Sequence, residues 1–425
     1  MTKEKIDLIV ENANELITLR GTSNKPVTDK QMKNLHIIQN GSVAVNQEKI
    51  VATGTHKKVK ERFIAEETIN ATGKVVMPGF IDPHTHLIFA GAREDEFELR
   101  IGGASYLEIL AKGGGILKSV RETRKTNVEE LVNACRKALN IMMTHGTTTT
   151  EAKSGYGLNK RDELKCLEAI KQLSDKHPMD IVATFLGAHA VPPEYENDAD
   201  GYVDLIVEEI MPAVARDKLA EFCDVFCENG VFNVQQSRKI LISGKQYGLK
   251  PKIHADELTQ FGGAELAAEL NAVSASHMLF SSDEGIKKMA QKGVVGELLP
   301  LASFSLMINR YAQAKKMINA GLPIALATDY NPSCWTENQQ LTIAFACREL
   351  RLTPAEAITA TTINAAHALN RAHEVGSLEP SKKADIVILD VPNHNFLGYC
   401  FGTNLVETTI KHGKVVAEKG RFIEA

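Results

Sequence analysis

No run of about 18 apolar residues occurs anywhere in the chain, which excludes a membrane-spanning helix of ordinary composition. The first residues, MTKEKIDLIVENANELI, are too polar for a secretory signal, so the expected compartment is the cytoplasm. Cysteine is sparse and odd in number, seven in 425 residues, which argues against a disulfide framework. Cys223 and Cys227, in FCDVFCENG, have no partner C-x-x-C and read as buried packing rather than as thiolate ligands. No basic cluster interleaves with aromatics, and 49 Lys and Arg against 53 Asp and Glu leave a net charge of -4. A nucleic-acid surface is therefore not expected, and the charge balance bears on solubility alone. Linkers, low-complexity tracts and short-period repeats are also missing.

What is present is ordinary globular composition, 44% hydrophobic and 24% charged, at a length that suits one large domain with a small one attached. Both ends are rich in strand-length runs. IDLIVENANELITL, LHIIQNGSVAVNQ and KIVATGTH lie at the start, and ADIVILDVP, LVETTIKHG and KVVAEKGRFI at the end. Neither end alone can bury a sound core. The expected arrangement is one small β-sandwich from residues 1–74 and 380–425, with residues 75–379 inserted between them.

The insert alternates. Strand candidates run from VVMPGFID through GTTTTEAK, DIVATFLGAH, CDVFCEN, PKIHADE, AVSASHM and VVGELLP to PIALATD, with helix-period stretches between them. Eight such alternations predict an α/β fold of the (β/α)8 TIM-barrel type, with a doubly wound open sheet as the other possibility. Active sites of such barrels lie where strands end. His84 and His86 follow the first run, and neighbours two apart on a strand point the same way. His189 ends the third run, His254 lies on the fifth with Glu257 three residues on, His277 ends the sixth and Asp329 the eighth. His84, His86, His254 and Asp329 form a three-nitrogen, one-carboxylate set that suits one divalent metal, Zn2+ or iron (Fe2+ or Fe3+), in an open catalytic site. His189 and His277 remain for acid–base or substrate work. The glycines at 113–115 are not followed by a P-loop Lys-Ser/Thr and suit a flap over the mouth better than a phosphate cradle.

HTH after PGFID, then GAHAVP, HADE and TDYNP in that order, resembles the amidohydrolase superfamily, and GSLEPSKKADIVILD resembles its small domain. FAGAREDEFELR, AKGGGILKSVRETR and EAKSGYGL resemble the branch that opens a five-membered cyclic amide bearing a propionate. The resemblance implies hydrolysis of 4-imidazolone-5-propanoate to N-formimidoyl-L-glutamate at a single metal, in the cytosol. On matching positions it implies that His84, His86, His254 and Asp329 hold the metal. Arg93, Tyr156 and His189 are implied to contact substrate, with Tyr106 a further contact. Glu257 is implied both to contact substrate and, with His277 and Asp329, to take part in the proton chemistry. One departure stands out. Asn331-Pro332-Ser333-Cys334 replaces the family's common Asn-Pro-Gly-Ser/Thr, so Asn331 and Ser333 are carried over as substrate contacts on weaker grounds. The expected assembly is a homodimer acting on a small molecule. A metal-dependent deaminase of a heterocycle is the rival enzyme, since His254-x-x-Glu257 suits that chemistry too. A metal-free scaffold is the rival from another class, opposed by the intact ligand set.

Overall fold

The computed structural model describes residues 2–104, 108 and 113–424. Five strands open the chain: β1 (Glu4–Ile17), β2 (Ile37–Asn46), β3 (Lys49–Thr55), β4 (Phe63–Asn70) and β5 (Val75–Pro78). Eight follow in the insert: β6 (Phe80–Asp82), β7 (Thr147–Lys153), β8 (Asp180–Ala188), β9 (Phe222–Cys227), β10 (Lys250–Ala255), β11 (Ser274–His277), β12 (Val295–Leu298) and β13 (Ile324–Leu326). Four close the chain: β14 (Ile386–Leu389), β15 (Val406–Lys411), β16 (Lys414–Glu418) and β17 (Arg421–Phe422).

Strands from both ends share one nine-stranded mixed sheet, in which β14 pairs with β5 and so joins the C-terminal meander to the N-terminal strands. The register of β1 against β2 shifts between Val10 and Ala13, where Asn12 takes a φ of 60°. On its other edge β1 pairs with β4 up to Glu11 and with β5 from Glu15. The sheet curls over a core that includes Leu8, Val10, Val43, Val45, Val76, Ile386 and Ile410. This is the expected β-sandwich.

The insert forms the (β/α)8 barrel, with β6 to β13 side by side in chain order and each parallel to the next. Strands such as β7, β9 and β12 are buried at every position, as barrel strands covered by helices must be. Helices start on side-chain caps. Asn127 with Glu130 opens Val128–Thr144, and Asn233 with Gln236 opens Val234–Gln246. The seam between β13 and β6 is bridged by the Gln339 amide, which donates to Ile81 O (3.2 Å) and Leu326 O (3.3 Å), and closes at the C-terminal mouth. There Thr328 donates to Asp82 from its amide (3.1 Å) and its hydroxyl (2.6 Å), Asp329 N to His84 O (3.2 Å), and His86 N to Tyr330 O (2.9 Å).

One expectation changes in detail. VVMPGFID is two strands in two sheets, broken at Gly79, where a Cβ would collide with Thr148. Val76 faces the sandwich core, while Val75, Met77 and Phe80 belong to the barrel's core. The strand that launches the first two histidines is thereby anchored in both units. Among the described residues no helix is long and apolar enough to cross a membrane.

At the barrel's N-terminal end, Asp180 of β8 meets Lys411 of β15 (2.8 Å) and Lys383 (3.0 Å), and Lys411 also meets Asp385 (2.6 Å). Burial pushes the Asp180 carboxyl up, but the His412 ring 3.6 Å away and the two ammonium charges outweigh it and hold the group well below the usual carboxylate range. A depressed carboxyl adds stability that is complete above its unfolded pKa and is lost as pH falls below it. Asp180→Asn should therefore destabilise the protein at pH 7 by about 1.5–3 kcal/mol, the size of a hydrogen bond to a charged group. In urea titrations the gap between parent and variant should shrink as pH falls below about 4.

Candidate active site

The barrel mouth opens into a cavity of about 490 Å³, reached by residues from most of the strand ends. His84 and His86 leave the end of β6, His254 lies on β10, and Asp329 follows β13. Asp329 Oδ1 lies 3.5 Å from His84 Nε2 and 3.6 Å from His86 Nε2, and His86 Nε2 lies 3.3 Å from His254 Nε2. The four side chains expected to bind metal thus lie in two overlapping groups of possible ligand atoms, His84 with His86 and Asp329, and His84 with His254 and His277, so the second group also takes in His277.

What surrounds the rings decides which nitrogens face inward. His254 Nδ1 lies 3.1 Å from Asp224 Oδ2, and His84 Nδ1 lies 2.9 Å from Ser276 Oγ and 3.4 Å from Glu297 Oε2. A carboxylate can only accept, so on His254 and His84 the Nδ1 atom carries the proton and Nε2 presents a lone pair. Burial, followed by nearby positive charge, holds His84 well below the usual imidazole range, and burial with the neighbouring histidines does the same for His86. Both rings are therefore neutral, as ligands must be. His84 Nε2 and Asp329 Oδ1 are buried without a hydrogen-bond partner. Lone pairs and a carboxylate oxygen pressed together out of water fit a cation.

Asp224, Ser276 and Glu297 are the functional residues that sequence reasoning misses. Their signal is faint: Asp224 and Glu297 are single charged residues inside FCDVFC and VGEL, and Ser276 is one of two serines in SASH.

Glu257 and His277 lie beside the ligands. His277 Nδ1 is 3.6 Å from Glu257 Oε1, and its ring centroid is 5.3 Å from that of His254. Burial first, then the charges of Asp329 and Glu228, push the Glu257 carboxyl up to about 8. Burial likewise pushes Asp329 up to about 7. The loop carrying Glu257 is held by Glu228, which accepts from Leu258 N (2.8 Å), and by Asp256, which accepts from Phe261 N and Gly262 N (both 2.9 Å). His277 and Asp329 sit at φ of 69° and 57°. Left-handed backbone at a non-glycine residue costs of order 1 kcal/mol or more and collects at functional sites.

The cavity's other wall carries the substrate candidates. Arg93 is buried and donates to Ser333 Oγ (3.0 Å). Asn331 and Ser333 both reach the cavity. The Asn331 carboxamide is spent on its own turn, however: Oδ1 accepts from Ser333 N (2.8 Å) and Cys334 N (3.1 Å), and Nδ2 donates to Asp329 O (2.8 Å). Ser333 has no positive φ, so the turn as it stands does not call for a glycine at this position. Tyr156 and His189 face each other with ring centroids 5.1 Å apart, and His189 stacks on His86 at 4.8 Å. His189 Nδ1 is 3.0 Å from Gly155 O, which can only accept, so Nδ1 donates and Nε2 is the acceptor. Burial lowers this imidazole to about 3, so it stays neutral. Tyr106 lies outside the described residues. At Gly115 the amide opening helix Ile116–Lys125 donates to Glu96 Oε1 (2.8 Å), so a carboxylate already fills the place a phosphate would need.

The chain matches known proteins along its whole length. Residues 67–104 and 245–416 each match a model of the amidohydrolase family. The imidazolonepropionase of Alkaliphilus metalliredigens (strain QYMF) is 49% identical over 98% of this chain and 100% of its own length. That of Geobacillus sp. (strain WCH70) is 52% identical over 98% of this chain and 99% of its own length. Among solved structures, an adenosine deaminase from Xanthomonas campestris with bound zinc superposes at a TM-score of 0.74 with 20% identity, covering 100% of this chain and 96% of that one. Ochratoxinase from A. niger superposes at 0.70 with 18% identity, covering 98% of this chain and 97% of that one. At such identities the structural likeness speaks for the fold alone.

His84→Ala and Asp329→Ala should fold, since each relieves crowding, and should bind Zn2+ at least ~100-fold more weakly, about 2.7 kcal/mol. Chelator competition measures the affinity directly. Added Zn2+ should raise the Tm of the parent and not that of either variant.

Proposed function

The chain belongs to the imidazolonepropionase family of amidohydrolases, and from that premise we propose how its barrel mouth carries out the reaction. The enzyme hydrolyses 4-imidazolone-5-propanoate to N-formimidoyl-L-glutamate in histidine degradation, with a divalent metal. The observation that carries the assignment of roles is that one cavity joins Arg93 to His86, His254, Glu257 and Asp329. A carboxylate-bearing cyclic amide needs both a clamp and a hydrolytic centre within one molecule's reach.

A divalent ion held by His84, His86, His254 and Asp329, zinc or iron for this donor set, supplies Lewis acidity that lowers the pKa of water and polarises the ring carbonyl. The chain's own groups do the rest. Arg93 clamps the propionate through two parallel hydrogen bonds, and the Ser333 hydroxyl keeps the guanidinium turned inward. His189, with Nε2 as acceptor, takes a ring N–H and orients the plane, and Tyr156 packs beside it. Asp329 accepts a proton from the attacking water as its oxygen joins the carbonyl carbon. Glu257, protonated below about pH 8, gives its proton to the ring nitrogen as the C–N bond breaks. The new carboxylic acid then returns a proton to Glu257, and Asp329 releases its own to solvent. His277 orients the Glu257 carboxyl through the 3.6 Å approach. No ammonia leaves in this scheme, which separates it from deamination. The reaction belongs in the cytoplasm.

Glu257→Gln and His277→Phe should each lower kcat by ~10²-fold or more, the size of a general acid–base contribution, with metal content kept near the parent's. Loss of metal in both variants would make these residues structural. Arg93→Ala should cut kcat/KM by ~30-fold to several thousand-fold, since removing one partner of a buried charged pair costs roughly 2–5 kcal/mol. A substrate analogue lacking the carboxylate should be poor for the parent and nearly indifferent to the change. Arg93→Lys should recover little, because a single ammonium cannot reproduce a planar two-bond clamp. Equal losses on the two substrates would mean that Arg93 supports the fold instead.

A further inference from the structure

Beneath the ligands, the barrel interior holds a line of charged side chains that the reaction does not use. Asp224 Oδ2 lies 2.7 Å from Lys153 Nζ, and Lys153 Nζ lies 2.8 Å from Glu151 Oε2. Glu151 Oε1 lies 2.8 Å from Lys252 Nζ, and Lys252 Nζ lies 2.9 Å from Glu297 Oε1. All five side chains have 0% exposure, which removes any account of them as a solvated surface network. Their signs alternate along the line, and both ends are carboxylates. Strand period places them: Glu151 and Lys153 are neighbours on one face of β7, and Lys252 shares its face of β10 with His254.

The interior of a TIM barrel is ordinarily filled by branched apolar side chains. Replacing a buried ion pair by apolar residues of similar volume is often neutral or stabilising, so stability alone is a poor reason for two lysines and three acids here. The ends of the line supply a better one. Asp224 meets His254 Nδ1 at 3.1 Å. Glu297 Oε2 accepts from Ser276 Oγ at 2.6 Å and lies 3.4 Å from His84 Nδ1. Lys252 in addition donates to Pro83 O (2.9 Å), the carbonyl immediately before His84. Each end therefore fixes one ligand ring, and the middle fixes the backbone that launches His84.

We propose that Glu151, Lys153 and Lys252 are positioning residues of the metal centre, forming a buried ion chain that holds Asp224 against His254 and Glu297 against His84 and so couples the two ligands. None of the three touches a ligand side chain. They act by holding the terminal carboxylates in place and by leaving a net negative line of charge under the cation. The inference rests on the metal reading given above and goes further, to residues outside the coordination sphere.

The test uses the full chain, with Zn2+ affinity from chelator competition and the visible spectrum of the Co2+-loaded protein as readouts. Lys153→Met and Glu151→Gln should each weaken Zn2+ by ~10–100-fold, the range for groups that orient metal ligands, and should shift the Co2+ bands. Asp224→Asn and Glu297→Gln should be non-additive in a double-mutant cycle on Zn2+ affinity, since the chain links them. Folded variants with affinity within two-fold of the parent and an unchanged Co2+ spectrum would overturn the proposal. If Lys153→Met does not fold, Glu151→Gln and the charge-conserving Lys252→Arg read the same quantities. Failure of all three to fold would also overturn it, because the chain would then be a requirement of the fold. A parent protein that binds no Zn2+ or Co2+ would instead sink the metal reading itself.

Discussion

Three imidazole nitrogens and a carboxylate oxygen cannot be crowded together out of water without something positive between them. The rest of this structure is arranged to impose that crowding. His84 and His86 are fixed by a strand end whose preceding segment is tied into a second sheet through Val75–Pro78. Asp329 is brought to them by the barrel's closing seam, where its own amide bonds to His84 O and the next residue's carbonyl receives His86 N. Closing the barrel and assembling the site are therefore the same event. Positive φ at Asp329 and His277 is a cost carried by that arrangement, and metal binding, which stabilises only the folded chain, is able to offset it.

The same desolvation sorts the titratable groups into roles. Burial keeps His84, His86 and His189 neutral, which suits ligands and a hydrogen-bond acceptor. Burial beside other carboxylates pushes Glu257 the other way, up to about 8, which suits a donor. Arg93 completes the pattern. It stands at the start of helix Glu94–Ile101, ahead of three acidic residues, where an arginine would ordinarily be solvated. Glu96 is turned inward to Gly115 N and Asp95 outward to Lys118, while Arg93 is left to face Ser333 and the cavity.

The elements that were legible in the sequence are those with a local signature. Eight strand-length runs alternating with helix-period stretches gave the barrel, and the period of a strand placed His84 beside His86. Histidines at strand ends stood out because each followed an apolar run. What was illegible depends on partners far away in the chain. VVMPGFID reads as one strand because nothing local says that Gly79 must pass Thr148 without a Cβ and that its halves belong to different sheets. Glu297 is the single charge in VGEL and Lys252 one of two lysines in KPKIHA, and no run tells which of its faces looks into a barrel. The acceptor state of His189 depends on Gly155 O, 34 residues earlier, and so could not be read from GAHAVP.

The loop after Asp329 shows how such a site tolerates substitution. Ser333 and Cys334 depart from the common pattern, and a glycine lost there would matter if the backbone needed positive φ. It does not, because Asn331 makes the turn with its side chain, accepting from the amides of Ser333 and Cys334 while donating to Asp329 O. The turn's geometry thus resides in Asn331, and residue 333 is free to carry a side chain. The hydroxyl at that position accepts from the Arg93 guanidinium and gives the clamp a hold that a residue without a side chain would lack. The departure from the family pattern therefore changes what touches Arg93 while the carboxyl of Asp329 keeps its place, since the fixed carbonyl of that residue is still anchored by Asn331.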